Sequence, residues 1–150
     1  MEFTNESIQH TRGLEAELSG QLQQGLQGTV SYSFQNSRAL EDPFEPNSPQ
    51  QLAKANLSIP LAHRRFAASF GGQYTSRMRT VTGPILGSYT LVNATLVARR
   101  LAKNLEASAN VDNLFNKRYA DSGGLEHREV SIPQDGRSFR VKLIYRFSSR

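Results

Sequence analysis

The run Phe139-Arg140-Val141-Lys142-Leu143-Ile144-Tyr145-Arg146-Phe147 places apolar or aromatic residues at every odd position and mostly cations at the even ones. Successive side chains of a β-strand point to opposite faces, so Phe139, Val141, Leu143, Tyr145 and Phe147 share one surface. Arg140, Lys142 and Arg146 share the other, with Ile144 the one exception. Such a strand has one face for an apolar medium and one for water. A soluble sandwich and a membrane barrel both use that division, so recurrence of the pattern and the way its repeats are connected carry the argument further.

The same alternation recurs upstream. Leu105, Ala107, Ala109 and Val111 oppose Glu106, Ser108, Asn110 and Asp112. Thr90, Val92, Ala94, Leu96 and Ala98 form a weaker set, because Leu91 and Val97 fall among the polar positions. Phe66, Ala68, Phe70, Gly72 and Tyr74 form another, as do Ala53, Ala55, Leu57, Ile59 and Leu61, where Pro60 marks a strand end. Val30, Tyr32 and Phe34, and then Leu14, Ala16, Leu18 and Leu22, complete a set of seven strands. The connectors alternate in length. Gln23–Gly25, Ala62–Arg65 and Ala102–Asn104 are short, whereas Asn36–Gln51, Ser76–Ser88 and Asn116–Gly136 are long and rich in Gly and Pro, as loops are. Transmembrane barrels have short periplasmic turns, long extracellular loops and strands of about ten residues. Tyr32, Phe34, Tyr74 and Phe139 lie toward the long-loop ends and Phe66, Tyr145 and Phe147 toward the short-turn ends, where interfacial aromatics belong.

The expected fold is therefore all-β, an antiparallel transmembrane β-barrel segment of seven strands that forms part of a barrel. Two alternatives stay open: a soluble antiparallel β-sandwich acting as a binding module, and a small autonomous outer-membrane barrel serving as a pore or adhesin. Only 37% of residues are hydrophobic, which is little for a soluble core plus three long loops but ordinary for strands with a polar lumen face. The first residues have neither the basic nor the apolar stretch of an export signal. With no cysteine, disulfides and thiolate metal sites are excluded.

The net charge of +5 is dispersed over strands, turns and loops, without a basic stripe interleaved with aromatics, so no nucleic-acid partner is expected. His10 falls before the first strand, His63 in a short turn and His127 in a long loop, toward different ends of the sheet, so they do not converge as metal ligands would. Glu15 and Glu17 share a strand face, as general acid and base could, but lumen polarity explains them more simply. No nucleophile–base arrangement or phosphate-cradling loop is present, so neither an enzyme nor a cofactor is expected.

At Asn110-Val111-Asp112-Asn113-Leu114-Phe115-Asn116-Lys117-Arg118-Tyr119 the sequence resembles the penultimate-strand signature of TonB-dependent outer-membrane receptors. Asn110, Asp112, Asn113, Leu114, Phe115 and Tyr119 carry the likeness. It is followed by a lead-in with Pro133 and Gly136 and by a last strand closing on Tyr145-Arg146-Phe147, as in that family. Thr11-Arg12-Gly13-Leu14-Glu15-Ala16-Glu17-Leu18 and Asn47-Ser48-Pro49 are similar to further family segments.

The resemblance implies the last third of a receptor barrel of about twenty-two strands that surrounds a plug domain and imports a scarce ligand such as a ferric siderophore, vitamin or glycan. It implies as partners the outer-membrane lipid, the remaining barrel and plug, TonB acting through that plug, and the barrel-assembly machinery. That machinery would read the terminal strand Phe139, Val141, Leu143, Tyr145 and Phe147; Ser148-Ser149-Arg150, which follow the terminal aromatic, depart from the family pattern. The plug, TonB box and signal peptide have no counterpart in this sequence, and a lone fragment is not expected to transport. Asp112 and Asn113 are expected to end a strand and anchor a loop. Ligand contacts are expected from Arg77, Arg79, Glu126, His127 and Arg128 in the long loops.

Overall fold

The computed structural model describes residues 9–39, 48–62, 65–81, 83–124 and 127–147. Its main element is a seven-stranded antiparallel sheet of β1 (Gln9–Gln21), β2 (Gln27–Ala39), β3 (Gln51–Leu61), β4 (Phe66–Thr75), β7 (Tyr89–Ala102), β8 (Leu105–Asp112) and β11 (Ser138–Tyr145). Each strand pairs with its neighbour in sequence, giving the order β1-β2-β3-β4-β7-β8-β11. Two small hairpins, β5 (Met78–Arg79) with β6 (Ile85–Leu86) and β9 (Ala120–Ser122) with β10 (Ser131–Pro133), lie inside the second and third long connectors. Among the described residues no helix is long and apolar enough to cross a membrane, a fact with no bearing on strands.

Register aligns the apolar parities. Leu14 pairs with Phe34 and Leu18 with Val30; Val30 then pairs with Ala55, Ala55 with Gly72 and Gly72 with Val92. Another row runs Leu57, Phe70, Ala94, Val111, Phe139. Leu91 and Val97, the doubtful pair of β7, pair with Gln73 and Ala67 and so sit on the polar face. A one-residue slip in any strand would break this continuity.

Among the described residues no second layer covers the apolar face. Leu18 is 76% exposed, Val141 73% and Leu143 66%, while among the described residues only Ala67, Met78, Tyr89 and Ala98 are buried hydrophobics. A soluble sandwich seals such rows between its sheets, so the exposure rules that alternative out. The polar serines Ser31 and Ser33 are less exposed than the Tyr32 and Phe34 that alternate with them. This is an amphipathic sheet turned inside out, with its apolar side presented to lipid.

The short turns follow from local chemistry. Gly25 adopts φ 86° and its N–H donates to the Leu22 carbonyl at 2.8 Å. Between β7 and β8 only Lys103 and Asn104 intervene, with Asn104 at φ 63°, a left-handed conformation that Asn tolerates.

Several boundaries differ from the expectation. Both β1 and β2 run farther toward the loop end, so Asn36–Ala39 belong to a strand and not to a loop. Cross-strand hydrogen bonding, here joined by the Thr11–Ser37 hydroxyl contact at 2.9 Å, holds even where the sequence is polar throughout. Leu22 lies in the turn and Ala102 in β7. At the other end β11 stops at Tyr145, so Phe147 lies past the strand, 90% exposed, with its ring edge-on to Tyr145 at 4.7 Å. The Arg146 N–H still donates to the Asn104 carbonyl at 2.9 Å, which carries the chain alongside the turn before the ladder is lost. Extra residues 148–150 lie outside the described residues.

Candidate functional site

The polar face forms the wall of a groove. Glu17, Ser31, Lys54 and Gln73 stand in one cross-strand row, and Thr29, Asn56, Gly71 and Asn93 in the next. Glu15, Glu17, Ser31, Ser33 and Lys54 border a cleft of about 410 Å³. A second cleft of about 390 Å³ is bordered by Asn56, Ser58, Ser69, Asn93, Thr95, Asn110 and Asp112. Hydroxyl pairs such as Ser69 to Ser58, 3.2 Å, knit neighbouring strands on this side. Glu106 holds the Arg146 guanidinium here in a salt bridge.

Asn113 closes the end of β8. It is buried, adopts φ 50°, and uses every polar group it has. Its N–H donates to Asn93 Oδ1 at 2.8 Å, its Nδ2 donates to the Lys117 carbonyl at 2.8 Å, and its Oδ1 accepts the Lys117 N–H at 2.8 Å. The Leu114 N–H donates to the Val92 carbonyl at 2.7 Å. Asn116, at φ 53°, accepts the Arg137 N–H through Oδ1 at 2.9 Å and so ties the chain entering β11 to the chain leaving β8. Asp112, by contrast, accepts from Asn110 Nδ2 at 3.2 Å, and Phe115 stands 75% exposed.

Above the sheet, Arg77, Met78, Arg79 and Ile85 from the β4–β7 connector face Gln35, Ser37, Ser48 and Gln50 across a cavity of about 260 Å³. Gln35 Nε2 donates to the Ser48 hydroxyl and to the Pro49 carbonyl, 3.2 Å, which fixes the opposite rim. Two guanidinium groups with four uncharged hydrogen-bonding side chains and an apolar patch suit an anionic ligand of mixed polarity. Thr80, fully buried, donates through Oγ1 to the Pro84 carbonyl at 3.0 Å and closes the β5–β6 hairpin beneath.

His127 and Arg128 border a different cleft, of about 90 Å³, with Val81, Gly123, Gly124, Glu129 and Val130. The five expected contact residues are therefore not gathered around one cavity: Arg77 and Arg79 share one, His127 and Arg128 another, and Glu126 lies outside the described residues. Sequence patterning passed over Gln35, Ser48 and Gln50, since nothing in a polar strand end and an adjoining loop foretells that they meet Arg77. It also passed over the clasp that seats β9. There the Tyr89 hydroxyl donates to Asp121 Oδ1 at 2.9 Å, and the rings of Tyr89 and Tyr119 lie 4.6 Å apart. Partial burial, then the nearby carboxylates of Asp121 and Asp135, raise the Tyr119 pKa above its ordinary value. Among the described residues no three His, Cys, Asp or Glu side chains are grouped to hold a metal ion.

The family described as TonB dependent receptor-like, beta-barrel matches residues 2–114, three quarters of the chain. The chain belongs to the TonB-dependent receptor family. Its receptor barrel relatives include the ferric-pyoverdine BN7/BN8 receptor of Pseudomonas putida, 28% identical over 130 residues that make up 82% of this chain and 16% of that protein. Solved structures share the fold. The FpvAI–pyocin S2 complex matches with a TM-score of 0.79 at 22% identity, covering 93% of this chain and 19% of that one. The siderophore receptor PiuA from Acinetobacter baumannii matches at 0.78 and 19% identity, covering 93% and 22%. The ferric-catecholate import receptor Fiu from Escherichia coli K12 matches at 0.77 and 18% identity, covering 94% and 21%.

TonB-dependent receptors related to this chain are outer-membrane proteins of Gram-negative bacteria, and they are receptors, not enzymes. The chain spans about a sixth of the curated relative's length and about a fifth of the solved structures'. Its sheet is an open sector of such a barrel: among the described residues β1 and β11 each pair on one side only.

Proposed function

We propose that this chain forms the C-terminal sector of the barrel of an outer-membrane receptor that imports a ferric siderophore of the pyoverdine type with energy delivered by TonB. The likeness to the ferric-pyoverdine receptor of Pseudomonas putida over 82% of the chain carries this reading. The loop-end cavity supports it. Arg77 and Arg79 supply positive charge at the mouth of a polar-walled groove, where an anionic chelate would be drawn in and held by Gln35, Ser48 and Gln50. His127 and Arg128 add a second contact region on the third long loop.

The other partners follow from the same reading. The plug would lie against the polar wall of Glu17, Lys54, Asn56 and Asn93, and TonB would act through the plug. Assembly machinery would engage the terminal strand from Phe139 to Tyr145. Alone, the sector would not transport, because the outer edges of β1 and β11 would leave backbone N–H and C=O groups unpaired in hydrocarbon, at several kcal/mol each.

Uptake measurements test the proposal. The complete reading frame containing this chain is expressed in a receptor-deficient Gram-negative host, and radiolabelled iron is supplied as ferric pyoverdine. Saturable uptake that disappears when TonB is deleted is expected. Uptake no higher than in the empty host, across pyoverdine and catecholate chelates alike, would overturn it.

A further inference from the structure

The two cations of the loop-end cavity sit on a stretch that alternates like a strand. Ser76, Met78 and Thr80 are buried, Arg77 is exposed and Arg79 half-buried, so the even positions anchor the chain and the odd ones carry its charge. At its base the Ser76 N–H donates to the Gln51 carbonyl at 3.0 Å, and Ser76 Oγ accepts the Gln51 N–H at 3.0 Å. Beyond this, β5 meets β6 through just two pairs, Met78 with Leu86 and Arg79 with Ile85, and Thr80 closes the hairpin on Pro84. So short a ladder has little stability of its own. What it leans on sets where its guanidinium groups stand.

The support on the far side is β9, which lies beside β6. Its middle residue, Asp121, accepts the Tyr89 hydroxyl at 2.9 Å, and Tyr89 is itself buried and paired with Thr75 on the last rung of the β4–β7 ladder. The connector that carries Arg77 and Arg79 leaves the sheet at Thr75 and returns at Tyr89, so one hydroxyl joins that rung to the neighbouring hairpin. Past Asp121, the Gly123 N–H donates to the Val130 carbonyl at 3.0 Å, and a Cβ on Gly123 would collide with the Glu129 carbonyl oxygen, so this hairpin closes tightly. Val81, from the connector of Arg77 and Arg79, borders the cleft formed there. We propose that Tyr89 and Asp121 are positioning residues for the loop-end cavity: by holding β9 against β6 they fix the β5–β6 hairpin and keep Arg77 and Arg79 facing Gln35, Ser48 and Gln50. This rests on that cavity receiving the chelate.

The complete receptor carrying this segment, purified in detergent, is titrated with ferric pyoverdine. Tyr89→Phe and Asp121→Ala should each weaken binding about fivefold, within what a lost hydrogen bond to a carboxylate costs. The loss should appear in the dissociation rate, because the charges that attract the chelate from a distance remain. Asp121→Asn, which still accepts the Tyr89 hydroxyl, should restore most of the affinity. In an R77A/R79A background the same substitutions should change affinity less than about twofold, since the groups they position are gone. An undiminished loss in both backgrounds, or none with the arginines present, overturns the proposal. A nitroxide attached at Ile85→Cys, where the native side chain is 66% exposed, reads the hairpin without ligand. Y89F and D121A should raise its mobility, and unchanged spectra also overturn the proposal. A wild type that binds no ferric pyoverdine would strike the import reading instead, and the nitroxide spectra would then judge the clasp by themselves.

Discussion

The side-chain oxygen of Asn93 accepts the backbone N–H of Asn113 across 2.8 Å, so the residue just past β8 hangs from β7. Asn113 combines this with a left-handed backbone and a reciprocal pair of bonds to Lys117.

Replacing Asn113 separates those roles. Asn113→Ala removes both side-chain bonds and forces a Cβ-bearing apolar residue into φ 50°, and should cost roughly 2–4 kcal/mol in the assembled receptor. Asn113→Gly loses the same bonds without the backbone strain and should be milder by about 1 kcal/mol. Thermal unfolding of the receptor in detergent, followed by the shift between folded and unfolded bands on a gel, measures both.

The clasp between Tyr89 and Asp121 makes a second prediction. Tyr89→Phe keeps the ring contact with Tyr119 and deletes a hydrogen bond to a carboxylate, worth roughly 1.5 kcal/mol. The β9–β10 hairpin should then open more often, and limited proteolysis of intact cells should cut the 113–137 connector about tenfold faster. Unchanged cleavage would mean that other contacts hold the hairpin.

Neighbouring positions on β3 should respond in opposite ways to the same charge. Ala55 pairs with Val30 and Gly72 on the lipid side, and Asn56 with Thr29 and Gly71 on the groove side. Ala55→Arg should destabilise the folded barrel by about 2–4 kcal/mol, and Asn56→Arg should fold at near wild-type yield, as scored by refolding into liposomes.

Removing the loop-end cations should slow ligand capture. R77A/R79A should lower the association rate of ferric pyoverdine about tenfold at low ionic strength. The gap from wild type should narrow as salt rises, because the effect acts at a distance through solvent. Arg128→Ala, in the separate cleft, should have the smaller effect. Stopped-flow quenching of the chelate's fluorescence reads both.

The period-2 alternation of Val30, Tyr32 and Phe34, or of Phe139, Val141 and Leu143, was legible because a lipid-facing strand must satisfy its environment residue by residue. Where that demand ends, legibility ends with it. Residues 9–13 and 35–39 are polar on both parities beyond the apolar band, and only backbone pairing declares them strand. The motif around Asn113 was visible, but its partner Asn93, 20 residues earlier, was not. The same holds for the site. Arg77 and Arg79 stood out as loop cations, whereas their facing residues Gln35 and Ser48 come from chain more than 25 positions away and share no pattern with them.

Because every strand of the main sheet bonds only to those immediately before and after it in the chain, the connectors at 40–50 and 76–88 are natural seams. A hairpin lifted out between two seams takes its internal ladder with it and needs only matching register at its two flanks. Homologous receptors could thus trade such cassettes, making new combinations of long loops at the cuts while the apolar rows stay in register.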